Sequence, residues 1–229
     1  MNVFALRSLL PVALVLSLAG CTTLPGVRQP APPSPKEATQ LAVLASPAEV
    51  HEKARACQEL AAVAGPASVA PLAALLNDEK LSSYARSGLE SIRDASAGEA
   101  LRQALPRLEG RQLAGAVNSL GVRREQAAVS DLRMLAFDPK RGAATEAVAA
   151  LGLIGTPDAA KVLQDVLARG PAELRVPATH AALVAAELLA KEGNASAAKS
   201  LLDAAAKAVP AGDLATAVRN RKAALTARR

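Results

Sequence analysis

The chain has no tryptophan, one tyrosine and two phenylalanines among 229 residues. Aromatic faces are the platforms on which single-stranded nucleic acids stack and from which quaternary-amine cages are built. Their scarcity excludes those recognition modes, and sugar stacking with them. Histidine and cysteine are as scarce, at two each, whereas a metal centre needs such ligands clustered. No Gly-Lys pair occurs, so there is no phosphate-cradling P-loop. No Gly-x-Ser-x-Gly occurs, so there is no nucleophile elbow. The carboxylate pairs near each other in sequence, Asp78 with Glu79 and Glu90 with Asp94, fit a solvated helix face without any acid–base role. The excess of cations, +6, is diffuse and reads as solubility. From these absences we expect no catalytic activity, no cofactor, no metal, no small-molecule substrate and no nucleic-acid partner.

What is present starts at the N-terminus. Arg7 and Arg28 are the only charges in the first 35 residues. The apolar run from Leu9 to Leu18 has the length of a signal-peptide core and falls short of the roughly 20 residues that a spanning helix needs. It ends in Leu18-Ala19-Gly20-Cys21. Those four residues resemble the lipobox of bacterial lipoproteins, in which small residues before the cysteine suit the signal peptidase. An ordinary secretory signal that happens to contain a cysteine is the alternative. The resemblance implies that residues 1–20 are removed as a signal peptide. It also implies that Cys21 becomes the first residue, with diacylglyceryl on its sulfur and a fatty acyl chain such as palmitate on its amine. Several chains anchor stably where one does not. In lipoproteins of Gram-negative bacteria an Asp after the lipidated cysteine signals retention at the inner membrane. Here that residue is Thr22, which implies the outer membrane, facing the periplasm.

Residues 21–34 carry Pro25, Pro30, Pro32 and Pro33 without apolar periodicity, so they form a stiff linker reaching roughly 40 Å at ~3.1 Å per residue. From residue 35 to residue 229 the pattern is helical. β-branched residues are sparse and no segment alternates with period two. Ser34-Pro35-Lys36-Glu37 has the form of a capping box, and Ser46-Pro47-Ala48-Glu49 repeats it.

An internal repeat follows. Leu60, Leu89, Leu120, Leu151 and Leu189 each close a helical pattern, and each is followed twelve residues later by Leu72, Leu101, Leu132, Leu163 and Leu201. Turn residues fall between the partners: Gly65-Pro66, Ala95 to Gly98, Arg123 to Gln126, Gly155-Thr156-Pro157 and Gly193-Asn194. Each unit is therefore expected to be a helical hairpin. Such hairpins bury their apolar stripes only by stacking, and Ala147, Ala150, Ala182, Ala185 and Ala186 let them approach closely. Asp213 to Lys222 reads as a capping helix that closes the stack with Leu214, Val218 and Leu225. Cys57 falls on the apolar face of Val50, Ala54, Ala61 and Ala64 and reads as a core residue; a reactive or intermolecular thiol is the alternative. His51 and His180 occupy equivalent positions four units apart, roughly 30–40 Å at helix-packing distances, so they cannot share a metal.

Ala149-Ala150-Leu151-Gly152-Leu153-Ile154-Gly155-Thr156-Pro157, followed by Ala160, Leu163 and Leu167, resembles the short HEAT repeat, the kind also found in HEAT-like domains of phycobilin lyases. The resemblance extends over 48–208. It implies an all-α fold, an α-solenoid of about five HEAT-like hairpins with terminal capping helices. In that family an Asp–Arg ladder links successive units, but after Asp78 the ladder position is Ser82. Leucine–alanine packing is then left to carry the stack.

The expected interaction face is the concave surface, lined by the second helix of each unit. Arg102 and Arg133 each stand one residue after the second leucine of their units, and Lys161 and Lys199 share another equivalent position. Such a basic row could meet an acidic protein partner. The favoured reading is a lipid-anchored envelope scaffold that binds another protein. A pilotin-like assembly factor for a secretion or pilus channel is the alternative, and a chromophore-lyase-like enzyme is a third reading.

Overall fold

A computed structural model describes residues 32–227. The expected signal segment, with Leu18, Ala19, Gly20 and Cys21, and most of the expected linker lie outside the described residues. Twelve α-helices follow one another among those described, with no strand. The chain is an all-α solenoid.

α1 (Pro35–Ala45) begins the array. Five hairpins follow: α2 (Val50–Val63) with α3 (Val69–Ala74), α4 (Ser82–Ser91) with α5 (Ala95–Ala104), α6 (Gly110–Val122) with α7 (Val129–Ala136), α8 (Ala144–Ile154) with α9 (Pro157–Arg169), and α10 (Arg175–Lys191) with α11 (Ala195–Ala208). α12 (Asp213–Ala227) closes the far end. Its Val218 is buried, and Leu214 and Leu225 are half-buried.

All ten paired leucines are fully buried. The first of each pair lies in the last turns of the leading helix, and the second lies in the returning helix, so together they pin the hairpin and its neighbour into one continuous core. Cys57 is part of that core, and burial pushes its thiol up to about 11, which keeps it protonated and inert.

The leading helices α2, α4, α6, α8 and α10 stack directly on one another. Two glycines show how close the approach is. A Cβ built on Gly121 would lie 2.8 Å from Ala150 Cα, and one on Gly152 would lie 2.9 Å from Ala181 Cα and from its carbonyl oxygen. Both follow an anchor leucine, Leu120 and Leu151. Ala147, Ala150, Ala182, Ala185 and Ala186 are buried along the same contact.

Two local expectations are corrected. Ser46 does not start a second capping box; its hydroxyl donates to the Val43 carbonyl at the end of α1, and α2 starts four residues later with the Glu49 N–H donating to Glu52 at 2.9 Å. The cap falls to Glu49 instead, because Glu49 and Glu52 each bind the other's backbone N–H as a capping box and so fix the helix start at Val50. The turn of the second hairpin is also not Ala95 to Gly98. α5 already starts at Ala95, capped by Asp94, which accepts from the Ser96 N–H at 2.9 Å. Gly98 lies inside that helix because the Glu125 side chain passes over it, 1.8 Å from where a Cβ would sit.

The Ser34–Glu37 capping box is present, and Glu37 does more than cap. It is buried, and one of its oxygens accepts from the Gly65 N–H at 2.8 Å and the Ser68 hydroxyl at 2.6 Å. The carboxylate thus docks α1 onto the turn of the first hairpin. Burial pushes its pKa up, but the Ser68 hydroxyl and the amides of Gly65, Ser34 and Ser68 outweigh it and hold the group below the ordinary glutamate range. A carboxylate depressed in the folded state stabilises above its unfolded pKa, and that contribution disappears as pH falls through the folded value. Glu37→Gln, whose amide can turn a donor toward these donors, is expected to cost about 1–3 kcal/mol. Hydrogen exchange of the α1 amides at neutral pH should accelerate in the variant, and wild-type α1 should loosen only below the ordinary glutamate range. Unchanged α1 protection in the variant would remove this role.

Candidate functional site

The returning helices present a side different from the leading ones. Where the leading helices touch through glycine and alanine, the returning helices are bridged by polar side chains. Arg102 on α5 donates from Nε to Asp131 Oδ2 on α7 at 2.8 Å, and from Nη1 to Glu99 at 2.8 Å. Arg133 on α7 donates to Asp165 on α9 at 3.2 Å. Gln164 on α9 donates to the Ser200 hydroxyl on α11 at 3.1 Å. Arg102, Arg133 and Gln164 each stand one residue after the second leucine of their hairpin. Their partners flank the second leucine of the next hairpin: Asp131 and Ser200 one residue before it, and Asp165 two after it.

Packing is therefore not left to carry the stack alone. An Arg–Asp ladder is present, on the returning helices rather than at Ser82, which is buried. The sequence carried its signal in the positions flanking the second leucines. Surface ion pairs of this kind contribute about 0.2–1 kcal/mol each. Arg102, whose side chain keeps 27% of its exposure, belongs at the upper end.

Arg102 and Arg133 do occupy equivalent positions, but each is engaged with the next hairpin. Arg133 and Arg169 also stack over the Phe137 ring, 5.5 and 5.9 Å from its centroid. Asp165 lies between these two guanidinium groups. The Arg169 hydrogen bond, reinforced by Arg133, holds its carboxyl below the usual range against the opposing effect of burial. Charge reversal at Arg102 and Arg133 would break rungs of the stack, so it would not leave the melting curve untouched. Lys161 is exposed and pairs with Asp158 on its own helix at 2.9 Å. Lys199 is exposed on α11, one turn before Asp203.

A second set of arginines, which sequence reasoning passed over as turn residues, ties the leading helices together at their C-termini. Arg123 donates to the carbonyls of Leu89, at 2.7 Å, and Ile92 at the end of α4, and to that of Asp94 at the start of α5. Its neighbour Arg124 reaches the other way, donating to the Ile154 carbonyl at the end of α8 (3.1 and 3.0 Å) and to Glu192 beyond α10 (2.6 Å). The carbonyl end of a helix carries partial negative charge and lacks intrahelical donors, so a guanidinium fits there. Arg124 pays for its reach with a left-handed backbone, φ 52°. Between α4 and α6, Arg86 donates to Ser119 Oγ (3.3 Å), which donates to Glu90 (2.5 Å).

The expected carboxylate pairs resolve into such structural duties. Glu90 accepts from Ser119, Asp94 caps α5, and Asp78 accepts the N–H groups of Lys80 and Leu81, both at 2.8 Å. His51 and His180 are exposed, on α2 and α10. Among the described residues no group of three or more His, Cys, Asp or Glu side chains could hold a metal ion, and no helix is long and apolar enough to cross a membrane.

Grooves open between returning helices, one of them, of about 500 Å³, where Val129 and Ser130 at the start of α7 meet Pro157 and Asp158 at the start of α9. Another, of about 270 Å³, lies between α5 and α7 and is lined by Leu105, Pro106, Met134 and Leu135, with Arg102, Asp131, Asp138 and Arg141 around them. Met134 is 65% exposed there. A third, of about 680 Å³, lies between α9 and α11.

Residues 98–183, from within α5 to within α10, match the family model described as HEAT repeats. A search of curated proteins finds no significant match. The match takes in the Arg102–Asp131 and Arg133–Asp165 rungs and Arg123 and Arg124 themselves, while Ser200 of the Gln164 rung lies beyond it; HEAT repeats commonly mediate protein–protein interaction.

Proposed function

We propose that this protein is a lipid-anchored scaffold of the bacterial cell envelope, which holds another protein against the returning-helix side of its solenoid and acts without catalysis. The observation that carries the binding half is that side itself. It is an extended surface built by equivalent helices and fixed in place by the polar ladder, so it costs little ordering entropy when a partner docks. Repeat arrays use such preformed surfaces for binding. Function is argued from this site rather than from the repeat alone.

The anchoring half rests on Leu18-Ala19-Gly20-Cys21 and on Thr22, with residues 21–34 as the tether that holds the solenoid away from the outer membrane. Metabolic labelling with an alkyne analogue of palmitate tests it. The wild-type protein is expected to take the label and to sediment with outer-membrane vesicles; Cys21→Ala is expected to lose both. A labelled Cys21→Ala protein, or an unlabelled wild type in the soluble periplasm, would refute the anchor.

A further inference from the structure

The groove between α9 and α11 differs from every other junction on the returning-helix side. Its rung is the one that carries no charge, Gln164 to Ser200. At about 680 Å³ it is also roomier than the groove between α5 and α7, about 270 Å³, and the one at the starts of α7 and α9, about 500 Å³. Its floor is apolar, with Leu167, Ala204 and Ala208 along it. Its two walls each hold one carboxylate, Asp165 on α9 and Asp203 on α11.

Both carboxylates sit in a cationic field. Asp165 lies between Arg133 and Arg169. Asp203 pairs with Lys222 of α12 and has Lys199 and Lys207 one helical turn to either side. Arg175, at the start of α10, lines the same opening. Among the described residues, six cations thus act on or around two carboxylates. Asp165 and Asp203 are both held below the ordinary range, by hydrogen bonds from Arg169 and Lys222 first and by the neighbouring cations after that. Elsewhere on the ladder Arg102 answers Asp131 and Glu99, so its charge is already matched.

We infer that the groove between α9 and α11 is the docking site for an acidic, extended segment of a partner protein, whose carboxylates meet Lys199, Lys207 and Arg175 while its small apolar residues face Leu167 and Ala204. This rests on the scaffold reading and names the partner chemistry of that side. α9 has 13 residues, about 20 Å of helix, which an extended segment of about six residues spans. The chain's own linker does not complement the site, because residues 21–34 contain Arg28 and no carboxylate. A membrane surface complements it less well than a peptide does. A flat bilayer reaches the lysine tips but not a floor set between two helices, where side chains alternating along an extended strand can reach both.

The probe is a fluorescein-labelled peptide of about eight residues alternating glutamate and alanine, titrated against the full chain in detergent and followed by anisotropy. Binding is expected to weaken as salt rises and to fall at least tenfold in Lys199→Glu/Lys207→Glu. It should be unchanged in Lys140→Glu, whose lysine lies two hairpins away. Because the double reversal crowds Asp203 with like charge, Lys199→Gln/Lys207→Gln is measured beside it; there a loss of threefold or more is expected with an unshifted melting curve. The proposal is overturned if the peptide does not bind or if Lys140→Glu loses as much. It is also overturned if phosphatidylglycerol vesicles bind the protein through the same lysines and the peptide does not. Photo-cross-linkers at Ser200 and Met134, used in intact envelopes, separate the two levels. Protein cross-links from Met134 alone would sink the groove and keep the scaffold, whereas cross-links from neither would sink both.

Discussion

Arg123→Ala is expected to destabilise the solenoid by about 3 kcal/mol, and to do so from the junction of the second and third hairpins. One guanidinium there reaches the carbonyls of Leu89 and Ile92 at the end of α4 and that of Asp94 at the start of α5. A hydrogen bond from a charged donor contributes about 1.5–3 kcal/mol, and a buried acceptor left without a partner costs a similar amount. The macrodipole at a helix C-terminus adds up to about 2 kcal/mol in partly buried geometry. These contributions overlap rather than add, which sets the total near the middle of the range. The measurement is hydrogen exchange across α4 alongside a urea melt. The α4 amides near Leu89 should lose protection first, because a repeat array opens locally at its weakest junction. Arg123→Lys should recover part of the loss, since an ammonium offers charge but not a planar fork. A variant that melts like the wild type, with α4 equally protected, would show that the carbonyls find water at no cost.

The second large effect is expected from Gly152→Val. A Cβ at this position meets Ala181 backbone and Cβ at 2.9 Å, so no change of rotamer can relieve the clash. α8 and α10 must separate along a contact that also buries Ala147, Ala178 and Ala185. Overpacking of this kind costs about 1–3 kcal/mol, occasionally more, and a β-branched residue gains little helix propensity to offset it. Gly152→Ala is expected to cost less, because the helix gains about 1 kcal/mol over glycine. The midpoint of urea unfolding checks both. A valine variant at least as stable as the alanine one would show that the hairpins slide apart freely, and direct backbone approach would then not be what orders the leading helices.

The ten paired leucines were legible because burial along a hairpin is periodic and local. A leucine in the last turns of one helix and another twelve residues on fall on the same side of a helix–turn–helix unit whatever lies above it, and all ten are buried. The capping box at Ser34, the turn at Gly155-Thr156-Pro157 and the closing role of Val218 were legible for the same reason: each depends on residues within a few positions. The turn around Ala95 was misread because Gly98 looks like a turn residue and serves instead as clearance for Glu125, a residue from the next hairpin.

The candidate site shows the limit more sharply. Position put Arg102 and Arg133 in one row, and the places of Asp131 and Asp165 beside the second leucines of the next hairpins take on meaning only once the hairpins are stacked. The same holds for Glu37 with Ser68, and for Arg123 and Arg124 with helix ends in other hairpins. The amino-acid pattern by itself determined the hairpins, their order and which side of each is apolar, since 3.6-residue periodicity and turn chemistry act over one unit. Only the stacked structure decided which cations are engaged and which face the open groove. A guanidinium or ammonium sits at the end of a long flexible stem, and the neighbouring hairpin, about thirty residues distant in the chain, supplies the carboxylate or carbonyl that it meets.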